Sequence, residues 1–331
     1  MELTMEEKGV GYLEEILKEL DLDLQAVEAG LRAAICPEDP VLGQVTKHFL
    51  SAPGKRLRPV LVLLAGKCSS YRPERLVKAA VALELVHMAA LVHDDVVDGA
   101  ASRRGISSVN AVWGNRVAVL LGDYFYARSL ALAAELGPEA VGHISRVINT
   151  LVEGEFAQLK ETYDLQLTEE DYLARVKHKT ADFISVCCQL GGQVGDAPAE
   201  VQKALARYGY FVGMAFQIRD DVLDFIADPA QLGKPAANDL TQGILTLPVI
   251  HALRNSSHKN ELVQILEKKS MTAQEMESVR EWLKETGSLT YSQNLATRYI
   301  SQAKESLSIL PAGFARDGLN RLADFSTNRA S

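Results

Sequence analysis

Apolar residues recur at the i, i+3, i+4, i+7 spacing through residues 5–34, 40–51, 59–68, 75–98, 107–135, 138–163, 169–194, 199–227, 242–253, 259–268, 273–286 and 289–309. That spacing lays a hydrophobic stripe along an α-helix. Sustained alternation of period two, the mark of a half-buried strand, is almost missing. Between these stretches Gly, Pro and Asp cluster at Pro37 to Pro40, Pro53 and Gly54, Tyr71 to Pro73, Gly99 to Gly105, Gly137 and Pro138, Gly191 to Pro198, and Pro229 to Asn238. These read as loops from helix to helix. With no fixed-period repeat, low-complexity tract or linker in view, residues 1–331 are expected to form one all-α domain, a single large helical bundle.

The most apolar stretch, Ala79 to Val92, covers only 14 residues and carries Glu84 and His87. A bilayer demands about 20 consecutive apolar residues, so the stretch predicts the buried centre of a bundle and no transmembrane segment. Composition agrees: 47% hydrophobic and 24% charged residues describe an ordinary globular core and surface. A net charge of -8 opposes nucleic acid as a partner, because phosphate backbones call for a basic face. The first residues show neither a basic start followed by an apolar run nor a cleavage site, so the expected location is the cytoplasm. Cys36, Cys68, Cys187 and Cys188 form no CxxC pair and read as core thiols.

Two helices carry the same acidic pattern. Residues 94–98 read Asp-Asp-Val-Val-Asp and residues 220–224 read Asp-Asp-Val-Leu-Asp. With 18 aspartates in the chain, chance yields roughly 0.05 matches to one such pattern, and two are far rarer. The first and last carboxylates of each triplet lie four apart, on one helical face, where like charges repel and aspartate is a poor helix former. A cation offsets that cost. Hard carboxylate oxygens with room for water and phosphate suit Mg²⁺, so Asp94, Asp95, Asp98, Asp220, Asp221 and Asp224 are the candidate metal ligands.

Basic residues flank the first triplet. Gly54-Lys55-Arg56-Leu57-Arg58-Pro59 puts three cations at a turn that opens a helix, whose free N–H groups also attract anions. Arg103 and Arg104 follow Asp98 and offer forked donors to phosphate. His87 lies two turns before Asp94 on the same stripe and can face the same cavity. Glu84 and His87 also match the Glu-x-x-His of a di-iron carboxylate bundle, although no second copy accompanies them.

Taken in order, GKRLRP, His87, DDVVD, RRG, His178-Lys179-Thr180, FQIRDDVLDF and GKP with Asp239 and Leu240 resemble the trans-isoprenyl diphosphate synthase (polyprenyl synthetase) family across residues 50–250. Within it the segments around both triplets look most like the catalytic component (component II) of two-component heptaprenyl diphosphate synthases, with single-component long-chain polyprenyl synthases close behind. The resemblance implies an isoprenoid-synthase-type bundle around a central cavity. It implies head-to-tail condensation of isopentenyl diphosphate with an allylic diphosphate such as farnesyl diphosphate, giving a medium- or long-chain all-trans polyprenyl diphosphate. It further implies three Mg²⁺ held by the six aspartates, with Arg103, Lys179 and Lys234 on the allylic diphosphate. Lys55, Arg58, His87 and Arg104 would bind isopentenyl diphosphate, and Thr180, Gln217 and Gln158 would stand near the reacting carbons. Ala89 and Ala90, just before the first triplet, match places where bulk limits product length. A homodimer, or a heterodimer with a small regulatory subunit, is expected too.

The sequence departs from the family pattern at Ile244, where Lys or Asn is usual, at Asn238 and at Pro53. Other readings are a class I terpene cyclase, whose second metal motif mixes Asn, Ser and Glu, a di-iron bundle, and a non-catalytic partner subunit.

Overall fold

The computed structural model describes residues 14–52, 54, 56–226 and 237–328. In chain order its helices are α1 Asp21–Ala34, α2 Pro40–Ser51, α3 Leu57–Lys67, α4 Pro73–Val97, α5 Val109–Trp113, α6 Asn115–Leu136, α7 Pro138–Glu161, α8 Glu169–Val176, α9 Asp182–Val194, α10 Ala199–Ile226, α11 Asn238–Thr241, α12 Leu247–Asn255, α13 Lys259–Glu267, α14 Ala273–Glu285, α15 Ser288–Ser306 and α16 Phe314–Asn328. Local chemistry starts several of them. Asp39 accepts the Leu42 N–H at 2.8 Å ahead of Pro40, and Thr168 with Asp171, like Thr272 with Glu275, closes a reciprocal capping box.

Two long helices make the centre. α4 packs against α1, α3, α5, α6, α7 and α9, and α10 packs against α8, α9, α12, α15 and α16. α9 lies against both, so the C-terminal ends of α4 and α10 come to opposite walls of one hollow. A continuous apolar core from Ile16 to Ala323 fills the space between these helices.

Among the described residues, two helices are long and apolar enough to cross a membrane. The apolar window of α4 is 67% buried within the bundle, whereas that of α6 is 33% buried. Length therefore does not set α4 apart from a membrane-spanning helix, as the 14-residue stretch suggested; its burial in the bundle does, and α6 carries an uncovered apolar face.

Other expectations need correction. The stretch 107–135 breaks at Gly114, whose φ of 82° ends α5 and turns the chain into α6. The stretch 242–253 becomes helical only at Leu247, because Thr246 is extended and Pro248 suits a first turn. Helix α16 lies beyond the last stretch of clear helical spacing. The loop Gly99 to Gly105 begins a short hairpin, with β1 Ser102–Arg103 paired to β2 Ile106–Ser107. Cys36 is exposed and is no core thiol, unlike Cys187 and Cys188, and all four cysteines are free.

Candidate active site

Both aspartate triplets lie in the last turns of their helices, where exposed carbonyls carry partial negative charge and neither helix places a basic residue. Carboxylates are unfavourable there. The compensation comes from tertiary neighbours. A cavity of about 940 Å³ has Asp95 and Asp98 on the α4 side and Asp221 on the α10 side, with Arg103, Arg104, Gln158, Lys179 and Gln217 between them. That volume takes a diphosphate with hydrated cations.

On the α4 wall, buried Asp95 accepts from Arg103 Nε at 2.8 Å, and its carbonyl accepts from Asn110 Nδ2 at 3.0 Å. The hairpin is therefore tied to the helix it follows. Burial, then Glu155 and, more weakly, Asp98, push the Asp94 carboxyl up to about 7 against the opposing charges of Lys179 and Arg103. Asp98 is exposed at the cavity mouth.

On the α10 wall, buried Asp221 accepts from Tyr172 OH at 2.7 Å and from Gln217 Nε2 at 2.8 Å. Burial and the neighbouring Asp239 still push its carboxyl up to about 7. Gln217 in turn accepts from Thr180 Oγ1 at 2.8 Å, making a chain from Thr180 to Asp221. Asp224 accepts from Asp239 N at 3.3 Å, and its carbonyl accepts from Ala237 N at 2.7 Å, which fixes the return of the chain after α10. Asp220 stands half-buried beside Asp221.

Between the walls, residues Lys177–Ala181 form a π-helical turn joining α8 to α9. Such wide turns insert one residue into a helix and cluster at functional sites. Here the turn presents Lys179, whose Nζ donates to Gln158 Oε1 at 2.8 Å and pairs with Glu155 at 2.6 Å. Close packing holds it: a Cβ on Gly213 would lie 2.5 Å from Ala181 Cα, and one on Gly154 would lie 2.7 Å from Lys179 Cγ.

A second hollow shares the wall formed by Asp95, Arg103 and Arg104, and adds Arg56, Glu84 and His87. Arg58 lies over the Phe183 ring at 4.7 Å, and His87 meets that ring edge-on. Burial, then Arg58, Arg104, Arg103 and Arg56 in that order, hold His87 well below its ordinary pKa. The lining thus sets Arg56, Arg103 and Arg104 against Glu84 and Asp95. Glu84 pairs with Arg56 Nη1 at 2.9 Å, so Glu84 and His87 face guanidinium groups and give no support to a di-iron centre.

Among the described residues, no three carboxylate, imidazole or thiol groups converge closely enough to hold a metal by themselves. Facing walls with few carboxylates each suit a cation that completes its shell with phosphate and water. Two carboxyls held near 7 by burial are also groups that a divalent cation would ionise, so the donor set fits one.

Lys55 and Lys234 lie outside the described residues. Ala89 is fully buried and Ala90 half-buried, and neither lines the two hollows described. Sequence reasoning missed Tyr172 and Arg175, and gave Arg56 no role beyond being one of three cations at its turn. Arg175 is buried, donates to the Leu245 carbonyl at 2.6 Å and pairs with Glu161, bracing the segment that carries Ile244 and Thr246 into the cavity. Ile244 puts an apolar side chain where the family usually has Lys or Asn.

Residues 39–283 match the family model described as polyprenyl synthetase. The chain is 44% identical over 302 residues to heptaprenyl diphosphate synthase component 2 of Geobacillus stearothermophilus, covering 91% of this chain and 94% of that protein. It is 40% identical over 311 residues to the protein of the same description from Bacillus subtilis, covering 94% and 89%. Its fold is similar to the crystal structure of polyprenyl synthase from Caulobacter crescentus complexed with calcium and isoprenyl diphosphate. There the TM-score is 0.91 at 30% identity, with 96% of this chain and 98% of the other covered.

Proposed function

The chain belongs to the polyprenyl synthetase family, and from that premise we propose that it adds isopentenyl diphosphate units head to tail to farnesyl diphosphate, making an all-trans polyprenyl diphosphate with heptaprenyl diphosphate as the main product. It is a prenyltransferase that acts by trans-polyprenyl chain elongation, and its family uses a divalent metal. The proposal extends to product length, primer, metal identity and residue roles. One observation carries it: aspartates of both triplets line a single cavity with Lys179, Arg103 and Gln217.

Asp94, Asp95 and Asp98, with Asp220, Asp221 and Asp224, would hold three Mg²⁺, which neutralise charge on the departing diphosphate when bound. Arg103 and Lys179 aim positive charge at the same leaving group, as electrostatic preorganisation requires; Lys234, outside the described residues, is assigned the same role. Arg104 and His87, which line the adjoining hollow, would with Arg58 over Phe183 fix isopentenyl diphosphate so that its double bond approaches the ionising allylic carbon; Lys55, outside the described residues, is assigned to the same diphosphate. The shared wall of the two hollows makes that approach short. Gln217 and Gln158 line the cavity, with Thr180 behind Gln217, and would orient the reacting carbons. The buried apolar interior below them keeps water from the allylic cation.

A partner fits the reading as well. Leu120 on α6 is 67% exposed, and Phe156 and Leu159 on α7 are 60% and 58% exposed, on helices that pack together. An apolar face of this kind suits a second copy of the chain or the small regulatory subunit suggested by the relatives' description as a component. The four free thiols support a cytoplasmic location.

The test is incubation with farnesyl diphosphate, labelled isopentenyl diphosphate and Mg²⁺, alone and with a candidate small subunit, followed by product sizing. Label is expected in polyprenyl diphosphates near the heptaprenyl length. Release of a cyclic hydrocarbon without uptake of label would instead establish a cyclase, and no uptake under either condition would overturn the proposal.

A further inference from the structure

Arg56 differs from the other cations around the isopentenyl-side hollow. It is the N-cap of α3, and its φ of 48° is in the left-handed region. A non-glycine residue held there is strained, and such strain persists where the surroundings over-determine it. Two carboxylates do so. Arg56 Nε donates to Glu28 Oε1 at 2.5 Å, Nη2 donates to Glu28 Oε2 at 3.4 Å, and Nη1 donates to Glu84 Oε1 at 2.9 Å. Glu28 belongs to α1 at the surface, with its side chain 39% exposed, whereas the side chain of Glu84 on α4 is 4% exposed.

The guanidinium thus passes from an outer groove of α1 to the inner hollow and lines both. A Cβ placed on Gly54 would lie 2.9 Å from Arg56 Nη1 and 2.9 Å from Arg104 Nη1, so the two guanidinium groups converge over that glycine. Burial by itself would lower the Arg56 pKa, and Glu28 and Glu84 reverse the sign and raise it. Arg56 faces Glu28 of α1 and Glu84 of α4 as its anions, with Arg104 as its cationic neighbour.

We propose that Arg56 is a positioning residue which, clamped between surface Glu28 and buried Glu84, sets the orientation of the α3 N-terminus and of Arg104, and through them the affinity for isopentenyl diphosphate. The inference rests on the reading of the second hollow given above. It assigns an effect on one substrate to Glu28, a residue on the outside of the molecule.

Calorimetric binding to the full-length chain tests it directly and does not depend on a partner subunit for turnover. Isopentenyl diphosphate is titrated into wild type, Glu28→Gln, Arg56→Lys and Arg56→Met, and farnesyl diphosphate with Mg²⁺ is titrated in parallel. The expected result is a Kd for isopentenyl diphosphate weakened about threefold by Glu28→Gln and about tenfold or more by Arg56→Met. Arg56→Lys, which lacks the fork that reaches two carboxylates, should fall between, with the farnesyl diphosphate Kd within about twofold throughout. Unchanged isopentenyl diphosphate affinity in Glu28→Gln would overturn the inference, as would equal weakening of both ligands with a lowered Tm, the signature of a merely structural residue. Because Glu28 is at the surface, that variant keeps the test decisive even if Arg56→Met fails to fold. Wild-type protein that binds neither diphosphate would instead overturn the reading of the site itself.

Discussion

Replacing Asp221 by asparagine should stabilise the metal-free protein at alkaline pH while abolishing catalysis. The Asp221 carboxyl is buried, faces Asp239, and is pushed from an ordinary 3.8 up to about 7. Its proton is therefore bound more tightly in the folded chain than in the unfolded one. Stability from that proton is fully present below pH 3.8 and is lost as pH rises toward 7, because the unfolded chain releases it first. Integrating between about pH 5 and about pH 8 with these two values gives a loss of about 2.5 kcal/mol. The Asp221→Asn side chain has no proton to release and should show none of this loss, while Asp94 contributes equally to both proteins and cancels. Urea melts at those two pH values measure the difference between wild type and variant, which should move by about 2.5 kcal/mol in favour of the variant as pH rises. Adding Mg²⁺ with inorganic diphosphate should stabilise wild type at the higher pH and leave the Asp221→Asn variant nearly unchanged. A wild-type-to-variant gap identical at both pH values would mean that Asp221 is ionised with an ordinary pKa, and the burial argument would be wrong.

Gly213→Ala places a methyl group against the Ala181 backbone, so Tm should fall by the equivalent of about 1–3 kcal/mol, with activity lost before the fold. Gln217→Leu removes the link from Thr180 to Asp221 at similar volume, and steady-state kinetics should show kcat down by roughly 10- to 100-fold, about 1.4–2.7 kcal/mol, with little change in Tm. Ala90→Phe should shorten the product on chromatography, whereas Phe at fully buried Ala89 should overpack the helix interface and lower Tm by a comparable amount, about 1–3 kcal/mol. Leu120→Asp puts a charge on the uncovered face of α6, and light scattering should report loss of self-association or of binding to the small subunit.

The fold class was legible because helical periodicity is a local signal, and the triplets were legible because their chemistry is written in one turn of sequence each. Facing placement of Asp95 and Asp221 depends on α9 packing against both central helices, which no local pattern states. The π-helical turn at Lys177–Ala181 was invisible for the same reason: residues 169–194 carry one unbroken apolar stripe, and the extra residue is accommodated by glycines on two other helices. Tyr172 and Arg175 read as ordinary members of that stripe until Asp221 and the Leu245 carbonyl are seen opposite them. Arg56 stood in plain view among the cations of its turn, but its partners are both 28 positions away. The hairpin was lost in a glycine-rich stretch because two-residue strands have no period to detect.

The widened turn has one more implication. A single surplus residue rotates everything beyond it by about 100° relative to everything before it. Upstream, the rod offers Tyr172 to the cavity shared by the two triplets; downstream, it offers Phe183 to His87, which lines the smaller hollow, and to Arg58 beside it. One continuous strut thereby braces both chambers.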